Sequence, residues 1–156
     1  MNPDKFRQIA GHWLTGVAVV TTVDGDGHPA GLTMNAVTSL SLNPPQFLIC
    51  IDKRSPTLAA ISAKGVFCIN YLRHDQQAVA VAFASRNGDR FSTLKTHTEK
   101  TGSPVLDDAI AYVECKVHAI HAGGDHSIII GDAIAGEAPG GEPLVYHRSR
   151  YLRLTP

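Results

Sequence analysis

The chain has 156 residues, 14 Lys and Arg against 14 Asp and Glu, 44% apolar residues and 18% charged ones, the profile of an ordinary globular protein of about one domain. A formal net charge of zero, with no block of Lys or Arg, excludes the basic footprint of a nucleic-acid binder. A chain of this size buries roughly two-thirds of the surface that it exposes when unfolded, so its core needs neither metal nor disulfide.

Asn2, Pro3 and Asp4 read as a helix cap, a first-position proline and a first-turn acid. Phe6, Ile9, Ala10, Trp13 and Leu14 follow at helical spacing, which predicts an opening amphipathic helix whose apolar stripe must be covered by its own barrel or by a second copy. Gly16 to Val23 is β-branched, Asp24 to Pro29 is turn chemistry, and residues 30–42 resume as strand-like sequence, so a hairpin is expected. Asn43, Pro44 and Pro45 break the ladder before an apolar strand over residues 46–51. Charge returns abruptly in Asp52-Lys53-Arg54-Ser55-Pro56-Thr57, where Ser55 and Pro56 read as cap and first position of a second helix that Gly65 stops. Residues 66–72 form another strand, and Asp75 is placed to cap a third helix ending near residues 87 and 88.

Residues 89–108 are the least regular stretch and read as a long ordered loop. From Tyr112 to His118 the pattern alternates, with Val113, Cys115 and Val117 on one face and Tyr112, Glu114, Lys116 and His118 on the other. A turn at Gly123-Gly124-Asp125-His126 leads into a further strand, and two short strands end the chain. About seven strands, three short helices and no strand-helix alternation, repeat or linker predict a single unit over 1–156. Its expected class is mainly β (α+β), a closed, largely antiparallel barrel with peripheral helices.

The N-terminus lacks the basic and apolar regions of a signal peptide, so a cytoplasmic location is expected. No Asp, Glu, Lys or Arg lies between Asp26 and Asp52, but prolines and polar residues interrupt that block as they would not interrupt a membrane helix. Cys50, Cys68 and Cys115 sit in apolar runs without C-x-x-C spacing and read as buried free thiols. The histidines lack metal-ligand spacing, and no metal site is expected. Signatures of Rossmann, P-loop, hydrolase-elbow and zincin chemistry are absent.

What remains is a block that suits a ligand with two ends. Residues 31–51 mix Thr33, Asn35, Thr38, Ser39 and Ser41 with strand formers, a surface on which a flat, uncharged ring could take hydrogen bonds. Lys53, Arg54, the Ser55 and Thr57 hydroxyls and the N–H groups after Pro56 meet at a helix start that favours a phosphate.

GLTMNAVTSLSLNPPQFLICIDKRSPT, FCINYL, FASRNGDRF, AYVECKV with AGGDHSIIIGDA, and PLVYHRSRYLRL occur in that order. They resemble the short-chain flavin reductases of two-component monooxygenases over roughly residues 15–154. The resemblance implies an FMN-binding split β-barrel, Greek-key-like, and a homodimer. It also implies NAD(P)H-dependent reduction of FMN or FAD, with reduced flavin passed to a separate monooxygenase. By resemblance, Thr33, Asn35, Ala36, Thr38, Ser39 and Ser41 belong to the flavin ring and ribityl region, and Asp52, Lys53, Ser55 and Thr57 to the phosphate end. Ala84, Arg86 and Arg90 are further candidates for the same pocket or for the nicotinamide phosphates. Gly124-Asp125-His126 looks like the family's nicotinamide-binding motif, with His126 placing the nicotinamide, and Tyr146 is a candidate neighbour of the ring. Ala36-Val37, Asn43, His147 and Ser149 depart from the family pattern. A non-enzymatic flavin carrier or sensor, and a flavin oxidase of the pyridoxamine-phosphate type, are the alternatives; the Gly-Asp-His turn argues against the oxidase.

Overall fold

The structure, a computed structural model, describes residues 1–85 and 88–154. The opening helix α1 (Pro3–Ala10) is capped by Asn2, whose Oδ1 accepts the Lys5 N–H at 2.8 Å. It stops four residues before the end of the expected stripe: Trp13 and Leu14 lie beyond its Gly11 cap, and the barrel buries no residue of it.

After β1 (Thr15–Gly16), the strands β2 (Ala18–Val23) and β3 (Pro29–Met34) form the expected hairpin. Residues 30–42 are two strands rather than one: the chain leaves β3 at Met34 and enters β4 (Val37–Leu42) after only Asn35 and Ala36. A tight turn at Asn43-Pro44 joins β4 to β5 (Pro45–Asp52). Helix α2 (Pro56–Lys64) begins at proline and stops at Gly65, whose φ of 71° is the left-handed conformation that glycine adopts without steric cost.

Strand β6 (Val66–Tyr71) precedes α3 (Gln77–Ala84). Asp75 does not cap α3. It pairs with the Arg73 guanidinium at 2.7 Å, and Gln76 takes the cap position, its Oε1 accepting the Arg73 N–H. The expected loop over 89–108 contains a small hairpin, β7 (Thr96–Thr98) and β8 (Pro104–Leu106). The long strands β9 (Ala111–Gly123) and β10 (His126–Glu137) follow, then β11 (Val145–His147) and β12 (Arg150–Leu152).

Seven strands build the main sheet in the order β3-β2-β6-β9-β10-β5-β4, every neighbour antiparallel. The expected closure does not occur, because β3 and β4 stand at opposite edges. Yet two residues join them, a span of about 10 Å. The edges therefore approach at Asn35-Ala36 without forming a ladder, and the result is a split barrel.

Strand β2 is buried on both faces, which explains its apolar start, Ala18 to Val20, and leaves Thr21 and Thr22 buried as well. Ala18 and Val20 join Ile49, Ile61, Phe67, Ile69 and Ile129 in one core, while Val19, with Val17, joins Leu72, Ala80, Phe83, Leu106 and Leu144 in a second. Gly131 makes room for the first core, since a Cβ there would lie 2.5 Å from Cζ of Phe67.

Glu114, expected on an outer face, is fully buried. The alternation is overridden because the loop before β8 folds over β9. Glu114 accepts the Lys100 N–H at 2.9 Å, the Thr101 N–H at 2.8 Å and the Thr101 hydroxyl, bonds that offset the cost of burying a carboxylate. Cys68 and Cys115 are buried free thiols as expected, and Cys50 is half-buried.

Candidate functional site

Against the edge strand β3, at the start of α2 and the end of α3, lies a cavity of about 430 Å³. Leu32, Phe83 and Ala84 supply its apolar wall, and Thr33, Asp52, Arg54, Ser55, Thr57 and Arg90 its polar groups. Such a volume, with convergent polar groups at one end, suits a small organic ligand.

The polar end is shaped by the turn from β5 into α2. The Asp52 carboxylate accepts the Arg54 N–H at 2.8 Å and the Arg54 guanidinium at 2.6 and 3.0 Å. Those hydrogen bonds hold its carboxyl far below the usual carboxylate range. Ser55 stands at the cap position of α2 but makes no capping bond with its side chain, and the first-turn Thr57 N–H has no intrahelical acceptor. Arg90 Nη1 donates to the Gly31 carbonyl at 2.8 Å, which swings the guanidinium over β3. Among the described residues no carboxylate pairs with it.

The Gly124-Asp125 turn joins β9 to β10, Gly124 having a φ of 66°. It is latched to the same corner: the Lys53 N–H donates to the Asp125 carbonyl at 3.0 Å and the Lys53 ammonium to the Gly124 carbonyl at 2.6 Å. His126 lies directly opposite Asp52 in the β10–β5 ladder. Its Nδ1 is 2.7 Å from Asp125 Oδ1, and this bond is the chief cause of the lowered pKa of Asp125. An ionised Asp125 accepts, so Nδ1 donates in this bond.

Of the residues expected from sequence, the structure gathers Thr33, Asp52, Ser55, Thr57, Ala84 and Arg90 around one cavity and sets Gly124, Asp125 and His126 at its Asp52 end. The Thr33 hydroxyl donates to the Ala80 carbonyl at 2.6 Å, which leaves its oxygen free to act only as an acceptor. Asn35 lines an adjoining hollow of about 180 Å³ with Tyr146 and Tyr151, and this hollow shares Thr33 and Ala84 with the cavity.

Ala36, Thr38, Ser39 and Ser41 line neither space. Ala36 is in the crossover, and the other three are on β4, at the far edge of the sheet. Lys53 does not line the cavity either, because its ammonium is turned to Gly124; Arg54 lines it instead. Arg86 lies outside the described residues. Phe83 also lines the cavity and is not singled out from sequence, since nothing in a helical periodicity marks which apolar residue borders a cavity.

Residues 10–155 match the flavin reductase like domain. The reductase subunit HsaB of a flavin-dependent monooxygenase from Rhodococcus jostii is 36% identical over 157 residues, covering all of this chain and 80% of that protein. A flavin reductase (NADH) from Kitasatospora aureofaciens is 40% identical over 156 residues, with 96% and 81% covered. The NADH:FAD oxidoreductase SgcE6 of Streptomyces globisporus, solved in complex with NAD and FAD fragments, superposes with a TM-score of 0.94 at 34% identity. That match covers 99% of this chain and 94% of the other. Sequence and fold thus agree over nearly the whole length, and the chain belongs to the flavin reductase like domain family.

Proposed function

We propose that this chain is an NAD(P)H-dependent flavin reductase that reduces FMN or FAD and supplies a separate monooxygenase component. The observation that carries this reading is one cavity lined by the α2 start, Arg54 and Arg90, with the Gly124–His126 turn held beside it through Lys53 and through the pairing of His126 with Asp52. Bound flavin supplies the redox chemistry, accepting hydride from the nicotinamide, so the protein needs no nucleophile of its own. The residues fit such a guest: a 430 Å³ cavity with an apolar wall accepts a flat ring, and hydroxyls, guanidinium groups and a helix N-terminus accept a phosphate.

In this reading Ser55, Thr57, Arg54 and Arg90 hold the flavin phosphate, while Thr33 and Ala84 border the ring. Lys53 positions the Gly124-Asp125 turn rather than touching phosphate. His126, with Nδ1 fixed by Asp125, presents Nε2 to the nicotinamide and keeps it within reach of the flavin, where small displacements are costly. NADH oxidation by the purified chain should rise with added FMN or FAD. A chain that holds flavin but leaves NADH oxidation flat on flavin addition is a carrier instead, and one that reduces oxygen without any nicotinamide is an oxidase.

The chain works as one domain over residues 1–156 in the cytoplasm and forms a homodimer. Phe6, Ile9, Trp13 and Leu14 are 63%, 51%, 79% and 53% exposed, and a second copy is what covers them. Light scattering should return twice the chain mass, and a fully active monomer overturns the dimer. No helix among the described residues is long and apolar enough to cross a membrane.

A further inference from the structure

We infer that Lys53 couples the two ligands of this site, so that flavin and nicotinamide dinucleotide each bind more tightly when the other is present. The inference rests on the flavin and nicotinamide reading above and deepens it. Where β5 runs into α2, Asp52 and Arg54 line the cavity and Lys53, between them, does not. It holds the neighbouring turn instead. The Lys53 ammonium donates to the Gly124 carbonyl at 2.6 Å, and the Lys53 main-chain N–H donates to the Asp125 carbonyl at 3.0 Å.

One residue thus grips two successive carbonyls of the turn that carries His126. Beyond the β5–β10 ladder, these are the only hydrogen bonds among the described residues that tie Gly124 and Asp125 to another element. Both residues are exposed. An exposed turn with so few ties samples many arrangements, and His126 moves with it. A guest at the start of α2 orders the segment from Asp52 to Thr57, and Lys53 belongs to that segment. Its two bonds are ordered as well, so the nicotinamide loses less freedom in settling at His126. Linkage makes the effect reciprocal: bound nicotinamide tightens the flavin by the same factor.

The charge is what strengthens the tie. An ammonium on a carbonyl makes a charge-assisted bond that a neutral side chain of similar length does not reproduce, whereas the main-chain bond persists with any residue but proline. Removing the ammonium therefore loosens the turn without releasing it. Lys53 acts as a positioning residue, through His126.

Oxidised flavin and NAD⁺ do not react with one another, so the coupling is read at equilibrium. FMN and FAD are each titrated into the wild-type chain with and without saturating NAD⁺, and the flavin dissociation constant should fall about fivefold when NAD⁺ is present. Lys53→Met should bring that factor to about one, leave the flavin affinity without NAD⁺ at its wild-type value, and raise KM for NADH more than it lowers kcat. Lys53→Arg, which keeps the charge, should keep the factor, and thermal melts confirm that both variants are folded. A wild-type factor of one, an undiminished factor in folded Lys53→Met, or a factor lost alike in both variants overturns the coupling. Weaker flavin binding by Lys53→Met without NAD⁺ overturns it too, and makes Lys53 a phosphate ligand. Absence of binding by either flavin, with or without NAD⁺, overturns the flavin reading itself.

Discussion

Two polar clusters in this molecule are built from similar groups and do different work. The first is interior. Asn70 is fully buried; its Nδ2 donates to the Val19 carbonyl at 3.1 Å and to the Thr21 hydroxyl at 3.2 Å, and its Oδ1 accepts the Leu106 N–H at 2.8 Å. With Glu114 it fastens the β7–β8 hairpin over β2, β6 and β9. The second is the exposed corner of Asp52, Lys53, Arg54, Asp125 and His126. Interior bonds have no water to replace them, so breaking one costs stability, whereas water can replace the bonds of the corner. The contrast teaches that the interior cluster holds the fold while the corner, on the reading proposed above, orients ligands, although both are networks of amides, carboxylates and backbone groups.

Asn70→Ala is the strongest way to break that contrast. It strands buried partners on β2 and β8, and should lower the unfolding free energy by about 3 kcal/mol, read from urea denaturation. An effect under about 1 kcal/mol would show that the interior bonds are as replaceable as those of the corner.

The pH profile separates the two regions next. Burial pushes the Cys115 thiol from 9.0 up to about 12, and burial pushes Cys68 upward too. Protons are then bound more strongly in the folded state, so this stability is fully present below pH 9 and is lost as pH rises toward the folded-state value. By about pH 10.5 the loss should be on the order of 2 kcal/mol for Cys115. Asp52 and Asp125 are lowered instead, chiefly by the side-chain hydrogen bonds from Arg54 and His126. Their contribution is present above the ordinary carboxylate range and is lost as pH falls through the folded-state values; solvent screens it, so that limb should be shallow. A urea midpoint that stays level from pH 9 to 11 contradicts the burial argument.

At the corner the readout moves from stability to kinetics. His126→Ala should raise KM for NADH roughly tenfold and slow hydride transfer, with flavin affinity and the thermal midpoint unchanged. Joint loss of flavin and thermal stability would instead make His126 a structural turn residue.

The smallest effect lies in the β11–β12 turn. Arg148 and Ser149 have φ values of 48° and 63°, a conformation that glycine adopts without a Cβ clash. Ser149→Gly should raise stability by about 0.5–1 kcal/mol. Calorimetry showing a loss would mean that the serine side chain stabilises the turn.

Local chemistry made much of this legible. Asn2-Pro3 and Ser55-Pro56 start helices α1 and α2, and Gly65 ends the second, because caps and φ preferences act within a few residues. The strand pattern and the ordered family motifs led to a split barrel and to Ser55, Thr57, Arg90 and His126 near one site. Other features depended on contacts between distant segments. Glu114 obeys strand alternation and is buried all the same, because a segment thirteen residues away folds over it. Thr38, Ser39 and Ser41 share hydroxyl chemistry with Thr33, but a two-residue crossover carries them to the opposite edge of the sheet. Lys53 and Arg54 are adjacent cations, and only the position of the Gly124 carbonyl turns Lys53 away from the cavity that Arg54 lines. By itself the sequence determined the helix starts and stops, the strand-forming segments and the residue types able to hold a phosphate, since these follow from neighbours along the chain. Which of those side chains face one cavity was decided only by the tertiary structure, because sheet order and the packing of loops over strands arise between residues far apart in sequence.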